Sequence, residues 1–458
     1  MMKKAAQVAA EPTPESEGVV RPSSIPGGRL VTSRAQARRL YPRLRGAPNS
    51  TRAGELLTTA LAAAPTSTSG VVLGRDQLSH AIVAHDPVTA YRDGVITSPL
   101  TIAIGDVGSG KSSLLKTQYV LRPLALTGRR CVVIDKKDEQ GEGEYAQLTR
   151  TFGAEPIRMR MDGEGSRINP IDPLIVGAEP SAPQRHLQAL LEIIGGIDLG
   201  IMERAALRAA LRGALGEFEP AHRRAATLAD VAVHLGTTRP DAVPTAGAAT
   251  DDYERAALRV RFTIEELLET YGSMFDGETS TDINLNEKLT TFDVSQLPDS
   301  GPAVPAVVGV AHGWLMGTLR RNRGLTTHFV AEEGWHLLNG PNAAVIGGAN
   351  VKLARGLGLV MVIALHKPAD IQLNVAAEPV LAEAQTVHVF ANARREDARR
   401  VTELFDLDDN SEELIMQLPK GHHLLKIGSR AEIHVRHVRS RIERELTNTD
   451  AAMLAGTR

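Results

Sequence analysis

Short apolar runs rich in β-branched residues alternate with longer amphipathic stretches through most of this chain. Pro99–Ile104 is such a run, and it predicts a buried strand. Ser113–Leu121 follows with apolar residues at helical spacing. Further strands are predicted at Arg129–Asp135, Lys288–Val294, Leu325–Ala331, Leu359–Leu365 and Val387–Phe390, with a short one within residues 156–174. Gly70–Gly74 and Ala81–Ala84 read as two short strands before them. His422–Ile427 and Glu432–Val438 read as a hairpin around Gly428-Ser429.

From about Ser181 to Met274 the period becomes helical. Leu187, Leu190, Leu191, Ile193 and Ile194 form one stripe, and Ala205–Leu215 and Tyr253–Tyr271 form others around a Pro/Gly/Ala/Thr loop at Thr237–Asp251. Val304–Arg320 reads as a long amphipathic helix. The pattern predicts an α/β fold interrupted by an all-α insertion. Its expected parts are 69–178 and 283–445 for the α/β domain, 179–282 for the insertion and 446–458 for a flexible tail. Residues 1–68 lack periodicity and are rich in proline, which predicts a disordered arm.

The 458 residues carry 52 Lys and Arg against 54 Asp and Glu, so no whole-chain field favours nucleic acid. Charge is uneven, however: arginines at 29, 34, 38, 39, 43, 45 and 52 have no acid between Glu17 and Glu55. The arm therefore reads either as a solubilising tail or as a basic segment for DNA, anionic lipid or an acidic partner. Aromatics make up only 3%, which excludes an extended base-stacking platform. Cys131 is the single cysteine, so no intrachain disulfide forms. No apolar segment reaches the ~20 residues of a membrane helix, and no secretory leader is visible. A cytoplasmic chain is expected, reaching a membrane only through partners.

Between the first strand and helix lies Gly105-Asp106-Val107-Gly108-Ser109-Gly110-Lys111-Ser112, followed by Ser113. This is the phosphate-binding P-loop spacing, in the strand–loop–helix context that it needs. The glycines let backbone N–H groups turn toward phosphate oxygens, and the helix N-terminus adds positive potential. Lys111 would reach the β- and γ-phosphates of ATP, and the Ser112 hydroxyl would ligate Mg²⁺.

Glu332-Glu333 ends the predicted strand at Leu325–Ala331. An acid at such a strand end holds Mg²⁺, and a second one positions the attacking water. Glu332 takes the metal-side role and Glu333 the catalytic one, against the alternative of a solvated strand end. His366 ends the next strand, as a sensor of the γ-phosphate or as a hydrogen-bonded strand-end histidine. Arg394 and Arg395, with Arg399, Arg400 and Arg355 behind them, are candidates to reach a neighbouring copy's site, or else pair with Glu396 and Asp397 on an exposed helix face. Lys136-Lys137-Asp138-Glu139 ends the second strand, either at the ligand crevice or as a solvated turn. Histidines 422, 423, 434 and 437 read as a polar sheet face rather than a metal site.

From about Gly70 onward the chain resembles the ATPases that energise type IV secretion and conjugation, in the HerA–FtsK branch of RecA-like motors. The residues that carry the resemblance are Gly105–Ser112, Val132–Asp135, Ile168-Asn169-Pro170, Met274–Gly277, Thr291–Val294, Val330–Trp335 and Leu365–Asp370. The resemblance implies a RecA-like domain with an all-α subdomain, docked on a membrane channel and often hexameric, with ATP at subunit junctions. Such proteins usually have Asp where Glu332 stands and Gln where His366 stands, and many carry a large folded N-terminal domain. Within this resemblance a DNA translocase and a nucleotide-gated scaffold with little turnover remain alternatives.

Overall fold

A computed structural model describes residues 68–447 apart from 177–181, 217–224, 238–247, 339–340, 343–354 and 369–377. The expected arm, the centre of the Thr237–Asp251 loop, Ala369-Asp370 and most of the expected tail lie outside the described residues. All described residues belong to one unit, Ala63–Arg458.

Among the described residues, thirteen strands run in chain order: β1 (Val72–Asp76), β2 (Ile82–Ala84), β3 (Leu100–Ile104), β4 (Arg129–Asp135), β5 (Asp138–Glu139), β6 (Glu142–Gly143), β7 (Ile157–Arg158), β8 (Leu289–Asp293), β9 (Thr326–Ala331), β10 (Leu359–Leu365), β11 (Ala384–Val389), β12 (His422–Ile427) and β13 (Ile433–His437). Eleven of them make one sheet in the order β2-β1-β13-β12-β11-β3-β10-β9-β4-β8-β7, while β5 and β6 pair separately. From β11 to β7 every pairing is parallel, and from β11 to β2 every pairing is antiparallel.

The parallel strands read as unbroken apolar runs because both faces are covered. On β10, Leu359, Met361, Ile363 and Leu365 enter one core, and Val360, Val362 and Ala364 enter another. The first core takes in helices Ala182–Gly195 and Ala303–Arg321 and continues into helices Ile201–Gly216, Leu228–His234 and Ala248–Phe275. The second lies under the helical run that follows the P-loop. That run is not the regular α-helix that the spacing predicts. Lys111–Leu114 is α-helical, Leu115–Leu121 takes the wider π form, and Arg122–Leu124 returns to α.

Polar residues of the π segment are buried and partnered. Lys116 Nζ donates to Glu144 O at 2.9 Å, Thr117 Oγ1 meets His437 Nε2 at 3.0 Å, and Gln118 Nε2 donates to His85 O at 2.6 Å. The histidines of the β12–β13 hairpin consequently divide between its faces. His422 and His434 meet at 3.1 Å on one face, whereas His423 is buried and His437 half-buried on the other. A single polar face is thus corrected to one half-exposed face and one core face. No group of three or more His, Cys, Asp or Glu among the described residues is placed to hold a metal ion. No described helix is long and apolar enough to cross a membrane.

Candidate nucleotide site

β3 ends at Ile104, and the chain turns through the glycine-rich loop into Lys111. Gly108 and Gly110 take φ of 79° and 111°, the left-handed region that favours glycine. Gly110 also packs so closely on Gly421 that a Cβ would lie 3.1 Å from its nitrogen. Gly421 N–H donates to Ser109 O at 2.9 Å, fastening the turn before β12 to the P-loop.

Lys111 Nζ spans its own loop, donating to Gly105 O and, at 2.8 Å, to Asp106 O. Asp106 does not face the ligand space: its carboxylate accepts from Ala393 N–H at 2.7 Å. Ser109 donates to Asp106 O at 2.7 Å. Gly105, Asp106 and Ser109 therefore shape the loop, while Val107, Gly108, Gly110, Lys111, Ser112 and Ser113 line a cavity of about 320 Å³.

The opposite wall of that cavity carries Glu332, Glu333 and His366, with Lys137 and Lys420. Strand order explains this. β10 lies between β3 and β9, so the strand ending at His366 separates the P-loop strand from the one ending at Glu332-Glu333. Gly334 permits the turn that follows, because a Cβ there would stand 2.0 Å from Ile363 Cγ2.

Glu332 is buried, and Ser112 Oγ donates to its Oε2 at 3.0 Å. The Tyr145 hydroxyl donates to Oε1. Burial, then the charge of Glu144, push the Glu332 carboxyl up to about 7, against the Tyr145 hydrogen bond, Lys116 and Ser112. Tyr145 is itself fixed: its N–H donates to Asp135 Oδ2 at 2.7 Å, and Lys116 Nζ lies 4.9 Å from its ring centre.

Glu333 has different surroundings. His366 Nε2 meets its Oε1 at 2.9 Å, and Trp335 Nε1 donates to its Oε2 at 3.0 Å. Burial pushes its carboxyl up, but the His366 and Trp335 hydrogen bonds and the His366 charge outweigh it, and the group lies below its ordinary value. The site thus holds one carboxyl poised near neutrality beside one that stays ionised.

The fold is that of a RecA-like P-loop NTPase. VirB4 of Thermoanaerobacter pseudethanolicus superposes with a TM-score of 0.67 at 20% identity, over 83% of this chain and 100% of that one. Plasmid coupling protein TrwB in complex with ADP and Mg²⁺ gives 0.55 at 16% identity, over 84% and 92%. TrwB in complex with the non-hydrolysable ATP analogue ADPNP gives 0.55 at 17% identity, over 87% and 97%. No family model matches the sequence, and no curated protein matches it.

In this RecA-like site, Ser112 Oγ and Glu332 Oε2 are adjacent hard oxygen donors, a set that suits Mg²⁺. Arg394 and Arg395 do not line the cavity of their own chain. They begin helix Arg395–Leu404, where Arg395 pairs with Glu412 at 3.3 Å. Arg399 pairs with Glu403 at 2.9 Å. Arg355 donates to Thr97 O at 2.6 Å, before the N-terminal end of β3 and so remote from the P-loop.

Of the lysines after β4, Lys137 lines the nucleotide cavity, and Lys136 turns to Asp299 at 2.6 Å. Tyr145 and Lys420 are the residues that sequence reasoning missed. The turn Pro419-Lys420-Gly421 was a visible signal for the second. Nothing local marked Tyr145.

Proposed function

We propose that the protein is an ATPase of the conjugation and type IV secretion class, converting ATP and water to ADP and phosphate and using the cycle to drive transport or assembly. The observation that carries this reading is the convergence of two carboxylates in unlike surroundings on one P-loop cavity: Glu332 on Ser112 at 3.0 Å and Glu333 on His366 at 2.9 Å. The order of motifs and the likeness in fold to VirB4 and TrwB support the class.

In this reading the loop amides and Lys111 hold the phosphates. Ser112 and Glu332 hold Mg²⁺, which when bound offsets charge on the phosphate oxygens. Glu333, ionised and facing the cavity, orients the attacking water and accepts its proton. His366 senses the γ-phosphate. Arg394 or Arg395 reaches the site of an adjacent copy in a homo-oligomer, a hexamer by resemblance, docked in the cytoplasm on membrane-embedded channel proteins. DNA is a candidate cargo.

The test is steady-state hydrolysis. Glu333→Gln keeps nucleotide affinity within a few-fold and lowers kcat by roughly 10²–10⁴. Unchanged turnover in that variant sinks the assignment. Stimulation by duplex DNA that disappears with salt would instead favour a DNA translocase.

A further inference from the structure

Both oxygens of Glu333 are engaged before any ligand arrives. Oε1 is held by His366 and Oε2 by the Trp335 indole. The two holders are not alike. His366 lines the nucleotide cavity, and its Nδ1 is buried without a hydrogen bond. Trp335 lies on the other side. It lines a second cavity of about 600 Å³ that also includes Lys136, Gln296 and Glu333, and its ring lies on His336 with centroids 3.5 Å apart. Glu333 and Lys137 line both cavities, and Glu333 has a ligand-facing donor on one side and a ligand-remote donor on the other.

His366 and Trp335 also differ in what can displace them. A γ-phosphate oxygen entering the first cavity competes with Glu333 for the imidazole. Nothing in that cavity competes for the indole. We propose that Trp335 is the positioning residue for Glu333. The γ-phosphate draws His366 away from Oε1, while the indole keeps Oε2 fixed and so turns the freed oxygen toward the water. Trp335 thereby senses the nucleotide state and carries it to the wall of the second cavity. This rests on Glu333 being the group that orients water.

Trp335→Phe keeps an aromatic ring beside His336 and removes the N–H donor together with the five-membered ring that carries it. The expected result is kcat lowered about tenfold with the KM for ATP within about twofold, the pattern of a misplaced catalytic group rather than of lost binding. Emission is a second readout. Trp314 is the only other tryptophan and is buried in the core, so the difference between wild type and Trp335→Phe isolates Trp335.

Adding a non-hydrolysable ATP analogue with Mg²⁺ should shift that emission. ADP with Mg²⁺ should not, and in His366→Ala the analogue should bind without the shift. Wild-type kcat in Trp335→Phe, the same shift with ADP, or a shift that survives His366→Ala overturns the proposal. If Trp335→Phe does not fold, Trp314→Phe leaves Trp335 as the sole tryptophan, and the ADP and His366→Ala emission arms decide in that background. Hydrolysis retained in Glu333→Gln would instead overturn the reading beneath it. An inactive Glu333→Gln beside a wild-type Trp335→Phe removes this inference and leaves that reading intact.

Discussion

Glu332 stands at the balance between carboxylate and carboxylic acid. Burial and Glu144 favour the proton, while Tyr145, Lys116 and Ser112 favour the charge. A divalent cation would add to the second group, because only the ionised oxygen ligates it. Tyr145→Phe removes one of the interactions that hold the charge and leaves the fold of its loop to Asp135 and Lys116. The Mg²⁺ concentration for half-maximal ATP hydrolysis should then rise roughly tenfold. The defect should be largest at or below neutral pH, where the protonated form gains, and should shrink above it. A Mg²⁺ titration at several pH values checks this, and a pH-independent defect would contradict it.

The strands that matter most are legible in the sequence because a parallel strand covered on both faces has no polar alternation to obscure it. β3, β9 and β10 could be placed from apolar runs alone, and with them the strand ends that carry Gly105, Glu332-Glu333 and His366. What could not be read is anything that reaches the site from a distance. Tyr145 arrives on a loop after β6, and Lys420 arrives because Gly421 is bonded to Ser109, a pairing 312 residues apart in number. The π form of the P-loop helix was equally hidden, since it follows from partners of Lys116, Thr117 and Gln118 that lie on other elements.

Asp86 shows how such elements are tied. It caps helix Pro87–Arg92 by accepting from Thr89 N–H at 2.9 Å, and it grips Arg129 at the start of β4 at 2.8 Å. Burial pushes its carboxyl up, but the hydrogen bonds from Arg129 and Thr89 outweigh this and bring it down from 3.8 to about 2. A depressed carboxylate stabilises the fold above its unfolded pKa and loses that contribution as pH falls through the folded one. Asp86→Asn should therefore cost about 2 kcal/mol near neutral pH and flatten the loss of stability between roughly pH 4 and 2. Denaturant unfolding across that range measures it.

For the molecule as a whole, Arg394 and Arg395 lie outside the cavity of their own chain, as the proposed reach to an adjacent copy requires. In the proposed mechanism, hydrolysis at subunit junctions requires assembly. Native mass measurement should show low-order species without ligand and a higher-order species, six copies by resemblance, with ATP and Mg²⁺. Glu333→Gln should prolong that state by failing to turn over. A monomer under both conditions, with full activity, would remove the junction from the mechanism.

The eleven-stranded sheet ends on β2 with three residues and on β7 with two. Edges this short offer almost no row of unpaired backbone groups on which another strand could template. Short margins of this kind disfavour widening of the sheet by pairing with another copy. In the proposed assembly, copies would meet through loops and helices, which slide and reseat more readily than a shared ladder of hydrogen bonds. The blunt margins of the sheet thus favour joints that can open and close over seams that cannot.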